Sequence, residues 1–238
     1  MPPGEEIRNV IVVDIETVGE KWESLPEKLR EYLLEREKED KDREEVPRQM
    51  GLSPGTGRVI VIAVLDPERN KGALFVEGEG GESAGWTPWP RDSRFQVVRA
   101  PEGKLLELFW NAIRPYRRVV TFNGRGFDGP FLMTRSAVHG VPPSRNLAGN
   151  RYELGNHCDL IDVLTYQGAV KKFSLDYWCR AFGIETPKVT MEGKDVQEFY
   201  EAGRLDEIVD YCRADVIATG QLYDRVERTV LPFMVRAK

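Results

Sequence analysis

The sequence predicts an α/β fold in which helices pack against a mixed sheet. The chain begins with a short apolar run rich in β-branched residues, NVIVVDIET at 9–17, whose polar flanks are typical of a buried strand. Two further apolar runs, at 58–66 and 72–78, are separated by PERNK, an insert of the kind that joins antiparallel strands. Beyond residue 100, helical and strand-like patterns alternate, which favours helices on a sheet of mixed strand direction.

The later elements follow from apolar spacing and from residues that cap helices. Helical spacing occurs in KLLELFWNAI, in DGPFLMTRSAVHG, which Gly140 closes, and in SLDYWCRAFGI, which starts at Ser174 and ends near Gly183. RRVVTFN is strand-like, and HCDLIDVL indicates another strand edge. The segments 193–203 and 204–226 have helical patterns, so we expect a helical C-terminal half.

The composition is that of a globular protein. With 238 residues and a net charge of −5, the chain cannot coat nucleic acid by bulk positive charge, which leaves a local binding site open. No run approaches the roughly 20 apolar residues that a membrane span needs, and the first residues do not resemble a signal peptide. Three widely separated cysteines match neither a disulfide framework nor a zinc-ligand pair. We therefore expect a cytoplasmic protein with no membrane partner, and the sequence identifies no protein partner.

We expect one domain over 1–238 that carries two irregular segments. The first is a charged helical insert at about 20–54, in which residues 20–45 hold eleven acidic and seven basic side chains. The second is a Gly/Pro/Trp-rich loop at about 79–94, which sustains neither helical nor strand periodicity. Trp86, Trp89 and Phe95 can offer stacking platforms to single strands, although aromatics in such loops more often pin the loop to the body.

Four acidic residues form a candidate site. Asp14 and Glu16 are two apart at the end of the first strand, so their side chains share one face of the sheet, where two carboxylates repel unless a cation lies between them. An isolated pair of this kind is more often a polar strand end facing water. Asp128 opens a helix after the strand VVTFN, where it either joins this pair or caps free backbone N–H groups.

Asp215 completes the set from a late helix. Tyr211 lies four residues earlier, so the phenol and the carboxylate share a face of that helix. Four carboxylates at one edge of a sheet are ligands for hard divalent cations, and two such metals form a clamp for in-line displacement at phosphorus. Tyr211 can orient the attacking water, since an ordinary phenol is a poor base at neutral pH.

The motifs as a set resemble a known family. DIET at 14–17, NGRGFD at 123–128 and YCRAD at 211–215 are similar, in order and context, to the three motifs of the DEDD exonuclease superfamily in its tyrosine branch. The similarity extends through HCDLID, KKFSLD, EGKDV and IVDYCRADVIAT, and these segments resemble predicted 3′-5′ exonucleases related to the proofreading domain of family B DNA polymerases. The histidine branch would instead have His where Asp210 stands.

This resemblance implies a ribonuclease H-like fold, two Mg²⁺ or Mn²⁺ ions, and removal of nucleotides from the 3′ ends of single-stranded DNA, with RNA left open. It implies that the metal ligands are Asp14, Glu16, Asp128 and Asp215, and that Tyr211 orients water. It also implies that Asn123 and Phe127 contact the terminal nucleotides, although Phe127 is equally a candidate for the core. Thr17 either donates to the substrate or caps the strand. No polymerase domain accompanies these motifs, so proofreading does not follow from them.

Three other functions compete with this one. GRGFDG at 124–129 satisfies the dinucleotide-binding pattern through Gly124, Gly126 and Gly129, but Asp128 would place a carboxylate where the pyrophosphate belongs. DIET is similar to the motif of aspartyl-nucleophile phosphatases, an interpretation that leaves Tyr211 without a role. An inactive nucleic-acid-binding module is disfavoured, because carboxylates that hold no metal only repel phosphates.

Several remaining residues have weaker signals. His139 and His157 are not spaced as a metal pair, and we expect His157 to be structural or to support a ligand. Candidate phosphate partners, each more often a solvated surface residue, are Arg125, Lys171, Lys172, Lys188, Lys194 and Arg213.

Overall fold

The computed structural model describes residues 8–80, 85–185 and 191–234. Within these ranges the strands are β1 (Arg8–Gly19), β2 (Gly57–Asp66), β3 (Lys71–Glu77), β4 (Thr87–Trp89), β5 (Asp92–Ala100), β6 (Tyr116–Thr121) and β7 (His157–Asp159). The α-helices are α1 (Glu27–Glu35), α2 (Asp40–Glu45), α3 (Glu102–Ile113), α4 (Asp128–Val138), α5 (Leu160–Leu164), α6 (Leu175–Ala181), α7 (Val196–Glu201), α8 (Leu205–Thr229) and α9 (Leu231–Met234). Short 3₁₀ helices span Trp22–Ser24, Val46–Leu52 and Gly193–Asp195.

The strands form one mixed sheet in the order β4-β5-β3-β2-β1-β6-β7. β1 pairs antiparallel with β2 and parallel with β6, and β2 pairs antiparallel with β3, which confirms the predicted hairpin. β5 lies parallel to β3 and antiparallel to β4, and β7 lies parallel to β6. The predicted α/β class, with helices on a mixed sheet, is confirmed.

Two apolar cores lie on opposite faces of this sheet, and the alternation of β1 separates them. Val10 and Val12 face a core that includes the buried side of α8, whereas Ile11 and Val13 face a core built from α3 and α4. Because side chains alternate along a strand, Asp14 and Glu16 continue the α8 face. The central strand therefore delivers both carboxylates to the helix that carries Asp215.

The charged insert is helical, as predicted, and its last part is docked on the sheet. Leu25, Val46 and Met50 form a small core of their own, and the Thr56 hydroxyl donates to the Met50 carbonyl at 2.8 Å. A Cβ added to Gly19 would lie 2.4 Å from the Met50 Cβ, so the backbone of β1 directly contacts the insert. The 3₁₀ helix Val46–Leu52 thus forms a wall beside the end of β1.

The prediction of a loop at 79–94 is wrong for the second half of that segment. Thr87–Trp89 form β4 and residues 92–94 begin β5, while residues 81–84 lie outside the described ranges. Trp89 is buried and its indole donates to Asp210 at 2.9 Å; Phe95 is buried in the core. These two aromatics pin the hairpin to the body, whereas Trp86 stays partly exposed, with its ring edge-on to Phe75.

In the described parts of the chain, no helix combines the length and the apolar character that crossing a lipid bilayer requires.

Candidate active site

The site begins where β1 passes beneath α8. Asp14 and Glu16 lie on the same face of β1, as the alternation predicted, and Glu16 is buried. The pairing of β1 with β2 shifts register between Glu16 and Thr17, which marks a β-bulge immediately after the two acids. The extra residue belongs to β2, where Ile60 and Val61 both face the core that includes α8, so β1 keeps its alternation and Val18 lies on the same face as the two acids.

Helix α8 contributes a phenol, a thiol and a carboxylate over these acids. Tyr211 and Asp215 are one turn apart, and the Tyr211 phenol lowers the pKa of the Asp215 carboxyl, which opposes the larger effect of burial. Cys212 is fully buried on the same side, with its Sγ 3.3 Å from Asp14 Oδ2. The predicted sharing of a helix face by Tyr211 and Asp215 is therefore seen, and the thiol is an addition that the sequence reasoning missed.

Asp128 reaches β1 from the start of α4. It is buried, and the backbone amides of Asp128 itself and of Ile15, which lies between Asp14 and Glu16, lower the pKa of its carboxyl against the larger effect of burial. The helix cap position is Phe127, whose side chain makes no capping bond. Asp128 thus points at the acid pair instead of capping further amides of its helix.

The four carboxylates interact electrostatically. Burial, followed by the charges of Asp128, Asp215 and Glu16, raises the pKa of Asp14 well above its usual range. Burial and the charges of Asp215 and Asp128 do the same for Glu16. Burial is also the main cause that raises the pKa of Asp128 to about 7 and that of Asp215 to about 6. Each of the four acids makes ionisation of the others less favourable, so a positive charge in the site would stabilise their ionised forms.

The donor set fits a hard divalent cation. One oxygen each from Asp14 and Glu16 and the Cys212 sulfur lie within 4.8 Å of one another, and carboxylate oxygens are the preferred ligands of Mg²⁺ and Mn²⁺. The Cys212 thiol donates to Asp14, and burial raises its pKa well above the usual range, so the sulfur stays a neutral thiol. It orients a carboxylate here and does not compete as a thiolate ligand.

A buried aspartate that the sequence reasoning passed over shapes the loop before Asp128. The Asp159 carboxylate accepts from the amides of Asn123 at 2.7 Å and Arg125 at 2.8 Å. Asn123 has a left-handed backbone conformation with φ of 61°, which these bonds hold in place. The segment HCDLID contains this residue, and its place directly after a strand was the available signal.

Arg125 is not free to bind phosphate, because its guanidinium is used inside the protein. It pairs with Asp162 at 3.2 Å and donates to the carbonyls of Gly149 and His157. His157 is buried between Thr121 and Leu147, with its ring nitrogens 2.8 Å from the Thr121 hydroxyl and the Leu147 carbonyl oxygen. Burial lowers the pKa of His157 to about 4, so this histidine is neutral and structural, which was one of the two roles expected for it.

The other basic residues that we considered as phosphate partners differ in whether their charges are already used within the protein. Arg213 bonds Asp92 at 2.9 Å and Asp210 at 3.4 Å, which commits it to fastening the β4–β5 hairpin. Lys194 is exposed and pairs with Glu192. Lys188 lies outside the described residues.

A cavity of about 600 Å³ opens beside the carboxylates. Glu16, Thr17 and Phe127 line it together with residues of the insert and of 193–197. The Thr17 hydroxyl donates to the Gly51 carbonyl at 2.6 Å, so this donor is used within the protein. Phe127 is half-buried, with its ring 5.4 Å from that of Phe131, and therefore belongs both to the cavity wall and to the edge of the core.

The glycines of the 124–129 segment serve packing. A Cβ at Gly124 would lie 2.5 Å from Thr121 side-chain atoms, and one at Gly129 would lie 2.5 Å from the Leu147 carbonyl oxygen. With Asp128 turned to β1 at the helix start, this turn has no place for a pyrophosphate, and the dinucleotide-binding alternative is wrong.

The structure combines a seven-stranded mixed sheet with a buried cluster of carboxylates from β1, α4 and α8. The structure is similar to that of the family B DNA polymerase from the hyperthermophilic archaeon Pyrobaculum calidifontis, with a TM-score of 0.57 and 21% identity over 94% of this chain. The matched region is 24% of the polymerase chain, so this protein spans about a quarter of that enzyme's length. No curated protein matches the sequence.

The family follows from the sequence match. The model of a family described as predicted 3′-5′ exonucleases related to the exonuclease domain of PolB matches residues 92–231, which is more than half of the chain. The protein belongs to this family of predicted 3′-5′ exonucleases, as its motifs indicated. The matched range includes Asp128, Tyr211 and Asp215, while Asp14 and Glu16 precede it.

Proposed function

We propose that this protein is a metal-dependent 3′-5′ exonuclease that removes nucleotides from the 3′ ends of single-stranded DNA. The observation that carries the proposal is the convergence of Asp14, Glu16, Asp128 and Asp215, whose pKa values are all raised. Such a cluster lowers the stability of the fold unless cations neutralise it. Destabilising acids are retained where they serve a function, such as binding metal in an enzyme. An inactive binding module has no such reason.

In this proposal the four carboxylates hold two Mg²⁺ or Mn²⁺ ions. Bound divalent ions supply Lewis-acid activation of water and stabilise the departing 3′ oxygen. The Cys212 thiol donates to the Asp14 carboxylate at 3.3 Å, so the protein itself orients this proposed ligand.

Tyr211 orients the attacking water. Burial and the neighbouring carboxylates, Asp215 first, raise the pKa of its phenol above the usual range, so the hydroxyl remains protonated at neutral pH. A protonated phenol positions a water molecule but does not remove its proton. The cavity that Glu16, Thr17 and Phe127 line is the proposed place for the terminal nucleotide, and we propose that Asn123, in the loop before Phe127, contacts it as well.

The test is an end-labelled degradation assay. Single-stranded DNA and RNA oligonucleotides labelled at the 5′ end are incubated with the protein in Mg²⁺, in Mn²⁺ and in EDTA. We expect a metal-dependent ladder that shortens from the 3′ end, and a faster reaction with DNA; a faster reaction with RNA would make the protein an exoribonuclease.

Two variants complete this experiment. Asp14→Ala removes a proposed ligand and should abolish the ladder, while Asp206→Ala removes a half-exposed acid from the start of α8, outside the cluster, and should leave it intact. Near-normal turnover by Asp14→Ala in Mg²⁺ would contradict the assignment.

A further inference from the structure

The described residues expose ten large hydrophobic side chains, and four of them lie within a twelve-residue stretch. These four are Tyr166, Val170, Phe173 and Tyr177, with exposed fractions of 56%, 50%, 37% and 46%. Scattered exposed hydrophobic residues need no explanation, but a concentration of this kind marks an interaction surface. We call Tyr166, Phe173 and Tyr177, with the adjoining Lys171 and Lys172, the aromatic patch.

The rings of the aromatic patch are held in place before anything binds. Phe173 and Tyr177 stack with their centroids 4.1 Å apart and their planes 17° apart. Trp178, which packs on the α8-side core, contacts both rings edge-on at 6.3 Å and 5.4 Å. A preformed stack loses little side-chain entropy when a flat partner adds to it.

The backbone of the turn that precedes the stack in sequence is also unusual. Tyr166 and Gln167 both have left-handed conformations, with φ of 49° and 58°, and the Gln167 amide donates to the Asp162 carbonyl at 2.7 Å. Two successive non-glycine residues in this region of φ cost free energy, and such costs cluster at functional sites. This turn presents Tyr166 to solvent instead of to the core.

The charge of the patch favours an anionic partner. Lys171, Lys172 and Arg180 are the basic residues of the segment 163–184, and Asp176 is its one acid, in a chain whose net charge is −5. The three basic side chains are exposed and make no ion pair with any residue in the described ranges. The Lys171 ammonium lies 5.7 Å from the centroid of the Phe173 ring, so positive charge and aromatic surface are interleaved.

The patch adjoins the carboxylate cluster through Cys179. This residue is buried on the inner side of α6, which packs on α8. Burial, and then the charges of Asp176 on the outer side of α6 and of Asp215 in the site, raise the pKa of the Cys179 thiol to about 11. The charges of both carboxylates act on this thiol, and α6 packs directly on α8, so the patch lies on the helix next to the one that carries Asp215.

We propose that the aromatic patch binds the part of a single-stranded nucleic acid that precedes the 3′ end in the carboxylate site. Stacked rings beside exposed lysines are what single strands require, because every base has a π-face and every linkage a negative charge. The inference rests on the proposed exonuclease function. It adds a second site, through which long substrates bind more tightly than short ones.

The first experiment measures binding without catalysis. Fluorescein-labelled (dT)20 is titrated with the protein in EDTA and followed by anisotropy, using wild type, the double variant Phe173→Ala/Tyr177→Ala, and Phe233→Ala as a control. Phe233 is 90% exposed on α9, beyond the end of α8, about 20 Å along the helix from Asp215. We expect the double variant to bind at least about tenfold more weakly, and the control to match wild type; equal affinity of all three, or no binding by wild type, would overturn the proposal.

The second experiment varies the two lysines, whose side chains are exposed and lie outside the core. Lys171→Gln/Lys172→Gln should weaken binding and reduce the slope of log affinity against log salt by about 0.7 for each phosphate that the variant no longer neutralises. An unchanged slope would show that no phosphate lies on the patch, and would count against the proposal.

The third experiment separates this proposal from the proposed function. Hydrolysis of the p-nitrophenyl ester of thymidine 5′-phosphate reports on the carboxylate site alone, because the ester has a single nucleotide and no preceding strand for the patch to bind. The Phe173→Ala/Tyr177→Ala variant should hydrolyse the ester at the wild-type rate while its KM for a 20-mer rises about tenfold. If the variant lost the same factor of activity on the ester and on the 20-mer, the patch would only support the fold, and the proposal would be overturned. If the wild-type protein bound (dT)20 but hydrolysed neither substrate, the proposed exonuclease function would be wrong and the binding site would stand.

Discussion

Replacing Asp128 by Asn should stabilise the metal-free protein. The carboxyl titrates near pH 4 in an unfolded chain and at about 7 in the fold, where burial and other acids oppose its charge. At pH 8 the ionised side chain therefore costs the folded state on the order of 4 kcal/mol. Asn is neutral and keeps an oxygen to accept from the Ile15 amide, so most of this cost should disappear.

The sign of the pH dependence follows from the raised pKa. The folded protein binds this proton more tightly than the unfolded chain does, so wild-type stability falls as the pH rises from about 4 to about 7. The advantage of Asp128→Asn should then be about 4 kcal/mol at pH 8, on the order of 1–2 kcal/mol at pH 5, and near zero at pH 3. At about 2–4 °C per kcal/mol for a chain of this size, the upper bound on the gain in Tm at pH 8 is about 16 °C.

The assay is thermal unfolding in EDTA at these pH values, repeated at pH 8 with Mn²⁺. Bound metal should raise the Tm of wild type more than that of Asp128→Asn, since the variant has lost a proposed ligand. Glu31→Gln, which neutralises an exposed acid on α1, is the matched control and should change the Tm by about 1 °C or less. If Asp128→Asn lowered the Tm in EDTA at pH 8, or raised it equally at pH 3, the electrostatic reasoning would be refuted.

Three further predictions concern single side chains. Tyr211→Phe should slow turnover roughly 10- to 100-fold with Mn²⁺ affinity unchanged. Because the phenol lowers the pKa of Asp215, its removal should raise that pKa and shift the acidic limb of the rate profile to higher pH; weaker Mn²⁺ binding would contradict this role. Arg125→Ala should lower the free energy of unfolding in urea by about 3–5 kcal/mol, because the buried Asp162 carboxylate loses its partner. A decrease below about 1 kcal/mol would show that this ion pair is dispensable. Asp210→Ala should lower the free energy of unfolding in urea by about 2 kcal/mol, because the buried Trp89 indole loses its acceptor; an unchanged free energy of unfolding would refute a stabilising role for this hydrogen bond.

Much of the site was predictable because it depends on rules that act locally. Strand alternation places Asp14 and Glu16 on one face, and helical spacing pairs Tyr211 with Asp215. The convergence of these pairs with Asp128 needed the family resemblance as well, since motif order implies a topology that spacing alone does not give.

What sequence reasoning missed depends on contacts between distant segments. β5 was partly hidden because its first residues follow a Gly/Pro/Trp-rich stretch, and its partner is β3, a parallel neighbour across the loop. Cys212 looked like any apolar residue of α8 until β1 placed the Asp14 carboxylate 3.3 Å away. Asp159 is one acid among many in the sequence, and its two bonds to the 123–125 loop require the β6–β7 pairing to exist first.

The contact between Gly19 and Met50 has a consequence for how this cleft can change. A Cβ on Gly19 would lie 2.4 Å from the Met50 Cβ and 2.7 Å from the Gly51 amide nitrogen, so one added methyl group must displace the insert's backbone. The spacing between β1 and the insert is thus set at this point by close backbone contact. Position 19 is therefore a place where a single added carbon atom must shift the wall of the cleft without touching any acid.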